Sequence, residues 1–242
     1  MKPMNSTAHN ALQDAQNFLY AARTEDWRQA DSLRLRLEQL SIAELSAQLT
    51  DDAARKAFWI NMYNAYIQYL LRQEPERYAK PMKFFAQRQM CIAGRSFSFD
   101  DIEHGVLRRS RIRWSLGYLR QIFVPRDIRA LWVDEIDHRI HFALNCGASS
   151  CPPIAYYEGE SIEEQLELAE AHFISSQSEV DSEAQRIHTS KILFWFRGDF
   201  GGMRGIRSLL AKQGIEGAEH YKIRYKDYNW KLHLDHFVEP GS

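Results

Sequence analysis

Phe58-Trp59-Ile60-Asn61-Met62-Tyr63-Asn64-Ala65-Tyr66 is apolar nearly all round when wound as a helix. A helix without a wide polar face is buried on more than one side, so this segment is expected to be the spine on which the rest packs. Asp51 or Asp52 stands where an N-cap belongs. The helix is expected to end near Arg72, because Pro75 lacks the N–H a helix needs and restricts the residue before it. Asn61, Asn64 and Gln68 recur at three- and four-residue spacing and so share one face. Buried amides must be satisfied, so they either brace a neighbouring loop or line a cleft, where they bind a ligand or donate to an oxyanion.

Upstream, residues 8–22 and 27–40 carry apolar side chains at helical spacing, and Ser41 with Glu44 forms a capping-box pattern. Downstream, Gln89–Ile92 and Arg95–Phe99 flank Ala93-Gly94 and read as a hairpin. Asp100 is placed to cap a helix through about Arg109, and Ser161 with Glu164 opens another to about Phe173. Residues 131–145 read as β structure with a turn at Asp134–Asp137, and residues 186–196 as β-like or mixed. Gly201-Gly202 precedes a helix over about 203–212, and His220–Lys226 alternates as a half-buried strand. These elements predict a single α+β domain: a helical N-terminal lobe (1–50), a main part (51–235) with a central antiparallel sheet, and a short tail (236–242).

The 242-residue chain carries 31 basic and 32 acidic side chains, a balance that argues against a dedicated nucleic-acid binder. Arg108, Arg109, Arg111 and Arg113 form a local basic cluster, read as a solvated helix end and loop. No run approaches the ~20 apolar residues of a membrane span, and Met1–Asn10 has no apolar signal core. Three cysteines leave at least one thiol unpaired, which fits a reducing compartment. A cytoplasmic protein with a peptide or small-molecule ligand, and with no membrane or nucleic-acid partner, is the expectation.

Asn145-Cys146-Gly147-Ala148-Ser149-Ser150-Cys151-Pro152-Pro153-Ile154 concentrates the chemistry. Two thiols in a Gly/Ser-rich turn serve as a reactive centre, a disulfide, a metal site or a pair of small buried residues. A nucleophilic thiol needs a lowered pKa. Cys151 precedes Pro152, a residue favoured at the first position of a helix. Cys146 ends the expected strand, where it can reach a cleft. Cys91, in the hairpin, is expected in the core. His104 and His141 are the candidate bases. Glu103 neighbours His104, but adjacent helical residues diverge, and it also sits at the capping-box position of Asp100. Strand alternation sets His141 with Ala143 and Asn145 and turns Cys146 to the other face. His138, His141, Cys146 and Cys151 match no common zinc spacing, and no metal or cofactor is expected.

Phe58–Asn64, Phe99–Arg108, His141–Gly147, Ser150–Pro153, Ser190-Lys191-Ile192 and Asp199-Phe200-Gly201 occur in this order and resemble the domain of unknown function 547 family over roughly residues 50–232. The resemblance implies a fold similar to the papain- and transglutaminase-like thiol hydrolases. The string Cys-Gly-x-Ser-Ser-Cys is similar to the papain-like Cys-Gly-x-Cys, though longer and without a following aromatic. The resulting expectation is a thiol hydrolase or transferase acting on an amide or peptide-like bond. Cys146 or Cys151 would be the nucleophile, His104 or His141 the base, and Asn145, Asn61 or Asn64 would orient the base or bind the oxyanion. The alternatives are a non-catalytic binding module that keeps the cleft, and a redox switch built on Cys146 and Cys151.

Overall fold

A computed structural model describes residues 10–238. Three helices open the chain: α1 (Ala11–Arg23), α2 (Trp27–Gln39) and α3 (Ile42–Gln48), the last with the full Ser41/Glu44 capping box. The spine follows as α4 (Asp52–Gln73). The Asp51 carboxylate accepts from Ala54 N–H at 2.8 Å to start it, and it stops before Pro75. Residues Lys56 to Gln68 of α4 are buried without a break, as a helix apolar all round requires. Against it lies α1, itself packed on α2; α5 (Pro81–Ala86) precedes the hairpin β1 (Met90–Ile92) and β2 (Arg95–Phe97), which meets α4 through Phe97 on Trp59.

Asp101–Leu107 is a π-helix, with Arg108 N–H donating to Glu103 C=O and Ser110 N–H to Gly105 C=O. Its start is not capped by Asp100. Ser98 and Asp101 instead exchange side-chain and backbone hydrogen bonds at 3.0 Å each. Glu103 is thereby released from the capping role its spacing suggested. After α6 (Arg126–Ala130), the stretch read as β folds as a 3₁₀-helix, His138–Phe142. Asp137 caps it, and Lys56 and Arg139 pair with that same carboxylate at 3.1 and 2.7 Å. Among the described residues the segment has no strand partner, and just after it Asn64 on α4 binds Ala143 C=O and Asn145 N–H. A strand-face argument for His141 and Cys146 therefore does not apply.

The chain then forms α7 (Ile162–Gln177), β3 (Glu179–Asp181), β4 (Arg186–Thr189), α8 (Ile192–Trp195), α9 (Gly202–Lys212) and β5 (Lys222–Tyr225). Ser161 makes no side-chain cap on α7. β3 pairs antiparallel with β4, and β4 pairs parallel with β5. The α+β class holds. Its β structure is divided between a two-stranded and a three-stranded sheet, where one central sheet was expected.

Two apolar cores result. The larger surrounds α4 and includes Phe18, Trp59, Tyr66, Phe97 and Ile140. The smaller joins Phe142, Phe173, Ile187, Leu193, Ile206 and Leu210. Cys146 packs on the first, while Tyr228, Trp195 and Phe196 pack on the second. No helix among the described residues is long and apolar enough to cross a membrane.

Candidate functional site at the seam of the two cores

The face of Asn61, Asn64 and Gln68 fixes the ground on which the site stands. Asn64 donates to Ala143 C=O at 3.0 Å and accepts from Asn145 N–H at 2.9 Å. Asn61 does the same with both backbone groups of Tyr157, at 2.7 and 3.0 Å. Gln68 donates to Leu234 C=O at 3.0 Å. The carbonyl and amino groups of both asparagines are thus spent on backbone that needs partners. Asn145 closes the thiol loop from within, donating to Pro152 C=O at 2.7 Å and accepting from Gly147 N–H at 2.8 Å. Gly147 has φ +87°, a conformation side chains resist, and a Cβ there would press on Leu71 and Leu232. The C-terminal segment wraps the outside, with His233 N–H bonded to Gly147 C=O and Ser149 N–H to Lys231 C=O.

Held this way, the Cys146 and Cys151 sulfurs lie 2.7 Å apart, as free thiols. Cys151 is buried and Cys146 partly exposed. The Tyr228 hydroxyl reaches both, at 3.1 Å from Cys151 and 3.5 Å from Cys146. Cys146 N–H also donates to the Cys151 sulfur, at 3.1 Å. The Tyr78 hydroxyl, buried and otherwise without a partner, faces the Cys146 thiol. Hydrogen bonding with Cys151 and Tyr228, with the Ala148 N–H and Tyr78 hydroxyl dipoles nearby, brings the Cys146 thiol down to about 7 against the cost of its burial. Burial and the neighbouring Cys146 push Cys151 well up.

Glu103 is the acidic companion. Burial raises its carboxyl to about 7, opposed by Arg108 and reinforced by Asp100 and Cys146. The buried Tyr63 hydroxyl completes this wall, held neutral by burial beside Glu103 and both thiols. Tyr228, Trp195 and Trp230 form an aromatic cluster beside the thiols, with centroids 4.8–5.9 Å apart, and Trp230 is exposed.

The two candidate histidines lie in a different constellation. The Arg108 guanidinium is fully buried and grips Asp199 through two bonds, at 2.5 and 3.2 Å. This corrects its assignment to a solvated helix end. His141 Nε2 meets the same Asp199 carboxylate at 2.9 Å, and its ring stacks on Phe196 at 3.8 Å. His104 Nδ1 accepts from Arg108 at 2.7 Å, which requires that nitrogen to be unprotonated. Glu103 stands 3.8 Å from His104, beyond hydrogen-bond distance. Burial, then Arg108, hold His104 well below its ordinary value. Burial drives His141 to about 4 although Asp199 opposes it. The bonds from His141 and Arg108 take Asp199 to about 2 against burial. Neither histidine hydrogen-bonds a thiol.

His138 bonds Glu170 at 2.8 Å, so the four-residue set of His138, His141, Cys146 and Cys151 does not converge. Among the described residues no group of three or more His, Cys, Asp or Glu side chains could hold a metal ion. Cys91 is not core. The β1 alternation buries Met90 and Ile92 and turns Cys91 outward, into a surface cavity of about 330 Å³ beside Arg34 and Glu38. Tyr228, Tyr78 and Tyr63 were not anticipated as site residues. Asp199 was visible only as part of a motif.

The family model for proteins of unknown function, DUF547, matches residues 47–174, more than half of the chain. The chain belongs to the DUF547 family. That DUF547 match spans α4, Glu103 and the whole thiol loop, whereas Asp199 and Tyr228 come from outside it. No curated protein and no solved structure matches the chain.

Proposed function

We propose that Cys146 and Cys151 form a redox-active dithiol, with Cys146 the attacking thiolate and Cys151 the resolving thiol. The observation that carries this is the 2.7 Å contact of two free thiols whose acidities are displaced in opposite directions. The S–S bond, about 2.05 Å, is a small movement away. Cys146 thiolate attacks one sulfur of a substrate disulfide, forming a mixed disulfide and releasing the other sulfur as a thiolate. Cys151 gives its proton to that thiolate and attacks the Cys146 sulfur. The Cys146–Cys151 disulfide forms and the second substrate thiol leaves. The substrate disulfide is reduced by two electrons, and a low-molecular-weight thiol or a dithiol protein restores the pair. A reducing, cytoplasmic setting suits such a cycle.

The test is intact-mass analysis of reduced protein after exposure to a small-molecule disulfide. The expected product has lost two hydrogens with Cys91 still free, Cys151→Ser retains a mixed disulfide on Cys146, and Cys146→Ser does not react. Wild-type protein that stays a dithiol throughout contradicts the proposal.

A second reading, a thiol hydrolase or transferase on an amide bond, draws on Glu103. A carboxyl near pKa 7 beside Cys146 can protonate a leaving amine, and would take the role expected of His104 or His141. A peptide or small molecule would approach past Tyr228 and Trp230. Amide turnover that survives Cys151→Ser and is lost in Cys146→Ser and Glu103→Gln favours this reading; no turnover on any amide removes it.

A further inference from the structure

The loop between the π-helix and α6 carries the three most exposed large apolar side chains among the described residues. Trp114 is 77%, Ile122 82% and Phe123 91% exposed, and Tyr118 and Leu119 are also open. Single exposed apolar residues are ordinary, but several on one short loop are not. The loop is also built rather than slack. Ile112 N–H donates to Leu119 C=O at 2.9 Å, Gln121 N–H to Ser110 C=O at 2.8 Å, and Gly198 N–H to Leu116 C=O at 2.8 Å. Gly117, at φ +89°, seats the turn directly on Asp199, where a Cβ would come within 2.5 Å of the carboxylate. Anchored at its turn, the loop presents these apolar side chains to solvent.

Its charge is one-sided. Arg120, Arg126 and Arg129 are exposed, and Arg111 and Arg113 half-buried, Arg113 being paired with Asp100 at 2.7 Å. Between His104 and Val133 the only acidic residue is Asp127, which is paired with Arg95. Met82 on α5, 61% exposed, contacts Arg113 and is followed by exposed Lys83. Projecting aromatic and aliphatic side chains ringed by cations match the chemistry of an anionic lipid surface: the rings enter the headgroup region and the guanidinium groups meet lipid phosphates. A protein partner would have to supply a separate hollow for each projecting side chain, whereas a bilayer interface accepts them without one.

We infer that the Arg111–Arg129 segment docks this protein peripherally on an anionic bilayer. The absence of a spanning helix concerns crossing a membrane, not resting on one. The inference is independent of the thiol chemistry.

The test is co-sedimentation of the full chain with phosphatidylcholine vesicles, with and without phosphatidylglycerol, at low and high salt. Each basic side chain near an anionic surface strengthens binding roughly fivefold. Wild-type protein should pellet with the anionic vesicles only, and high salt should release it. Ile122→Glu with Phe123→Glu, and separately Arg126→Glu with Arg129→Glu, should each weaken binding by more than about tenfold. These side chains are solvent-exposed, so the variants should keep the wild-type melting curve. No pelleting of the wild-type protein, or pelleting of both variants equal to that of wild type, overturns the inference. So does a wild-type dimer in light scattering that Ile122→Glu with Phe123→Glu converts to monomer, which assigns the loop to a second copy of the chain.

Discussion

The thiol pocket and the arginine–aspartate–histidine cluster are both buried and polar, and burial opposes the charged form in each, yet their groups end at opposite places. In the thiol pocket, groups are drawn toward neutrality: Cys146 down to about 7 and Glu103 up to about 7. In the cluster, groups are driven away from it: His141 to about 4 and Asp199 to about 2. The cluster has paired its charges, with Arg108 opposite Asp199 and both histidines neutral, so nothing in it exchanges protons near pH 7. The pocket leaves Glu103 without an equivalent cation and holds two sulfurs in contact. Paired charge makes a brace, while incompletely compensated burial at Glu103 and hydrogen bonds to the Cys146 sulfur make groups that change state at working pH.

The largest effect should come from opening the brace. Arg108→Met leaves Asp199 buried without its cation and should cost about 3–5 kcal/mol in a urea melt. A loss below about 1 kcal/mol would mean the pair is not closed as described.

Next is acid stability. Unfolded His141 takes a proton near 6.5 and the folded residue only near 4, so stability falls as pH drops through that interval. Asp199 adds stability that is present above its ordinary 3.8 and lost as pH falls toward about 2. His141→Gln should flatten the first limb, by on the order of 3 kcal/mol, and shrink the second, because the His141 bond is one of those that lower Asp199.

Glu103 has the reverse sign. Its folded pKa lies above its ordinary 4.5, so the stability it contributes is complete below 4.5 and is lost as pH rises to about 7. Glu103→Gln should therefore stabilise the protein at pH 8, by up to about 3 kcal/mol, and change little at pH 4. Equal stability at both pH values would put Glu103 with the brace. The smallest effect is Tyr228→Phe. Removing its hydroxyl from both sulfurs should slow alkylation of Cys146 at pH 6 by about tenfold and barely move the melting curve.

Much of the frame was legible from local signals. Phe58–Tyr66 announced itself by being apolar nearly all round, the Asn61/Asn64/Gln68 face by spacing, and the thiol loop by two cysteines beside glycine and proline. His138–Phe142 was misread because a short apolar run has no period long enough to separate a strand from a 3₁₀ turn. Glu103 was obscured by a plausible capping spacing that Ser98 and Asp101 satisfied instead. Arg108 with Asp199, and Tyr228 with the thiols, meet only through the chain's return across the seam of the two cores. No local pattern encodes such pairs, and without them the histidines looked like partners of the cysteines.

The central claim is that Cys146, alone of the three cysteines, is a thiolate near neutral pH. Iodoacetamide labelling of the reduced, folded protein across pH, read per cysteine by peptide mass spectrometry, tests it directly. The dithiol assignment predicts a Cys146 midpoint near 7, with Cys91, whose thiol burial raises, and Cys151 far behind. A Cys146 midpoint at the ordinary thiol value of about 8.5, rising together with Cys91, would contradict it.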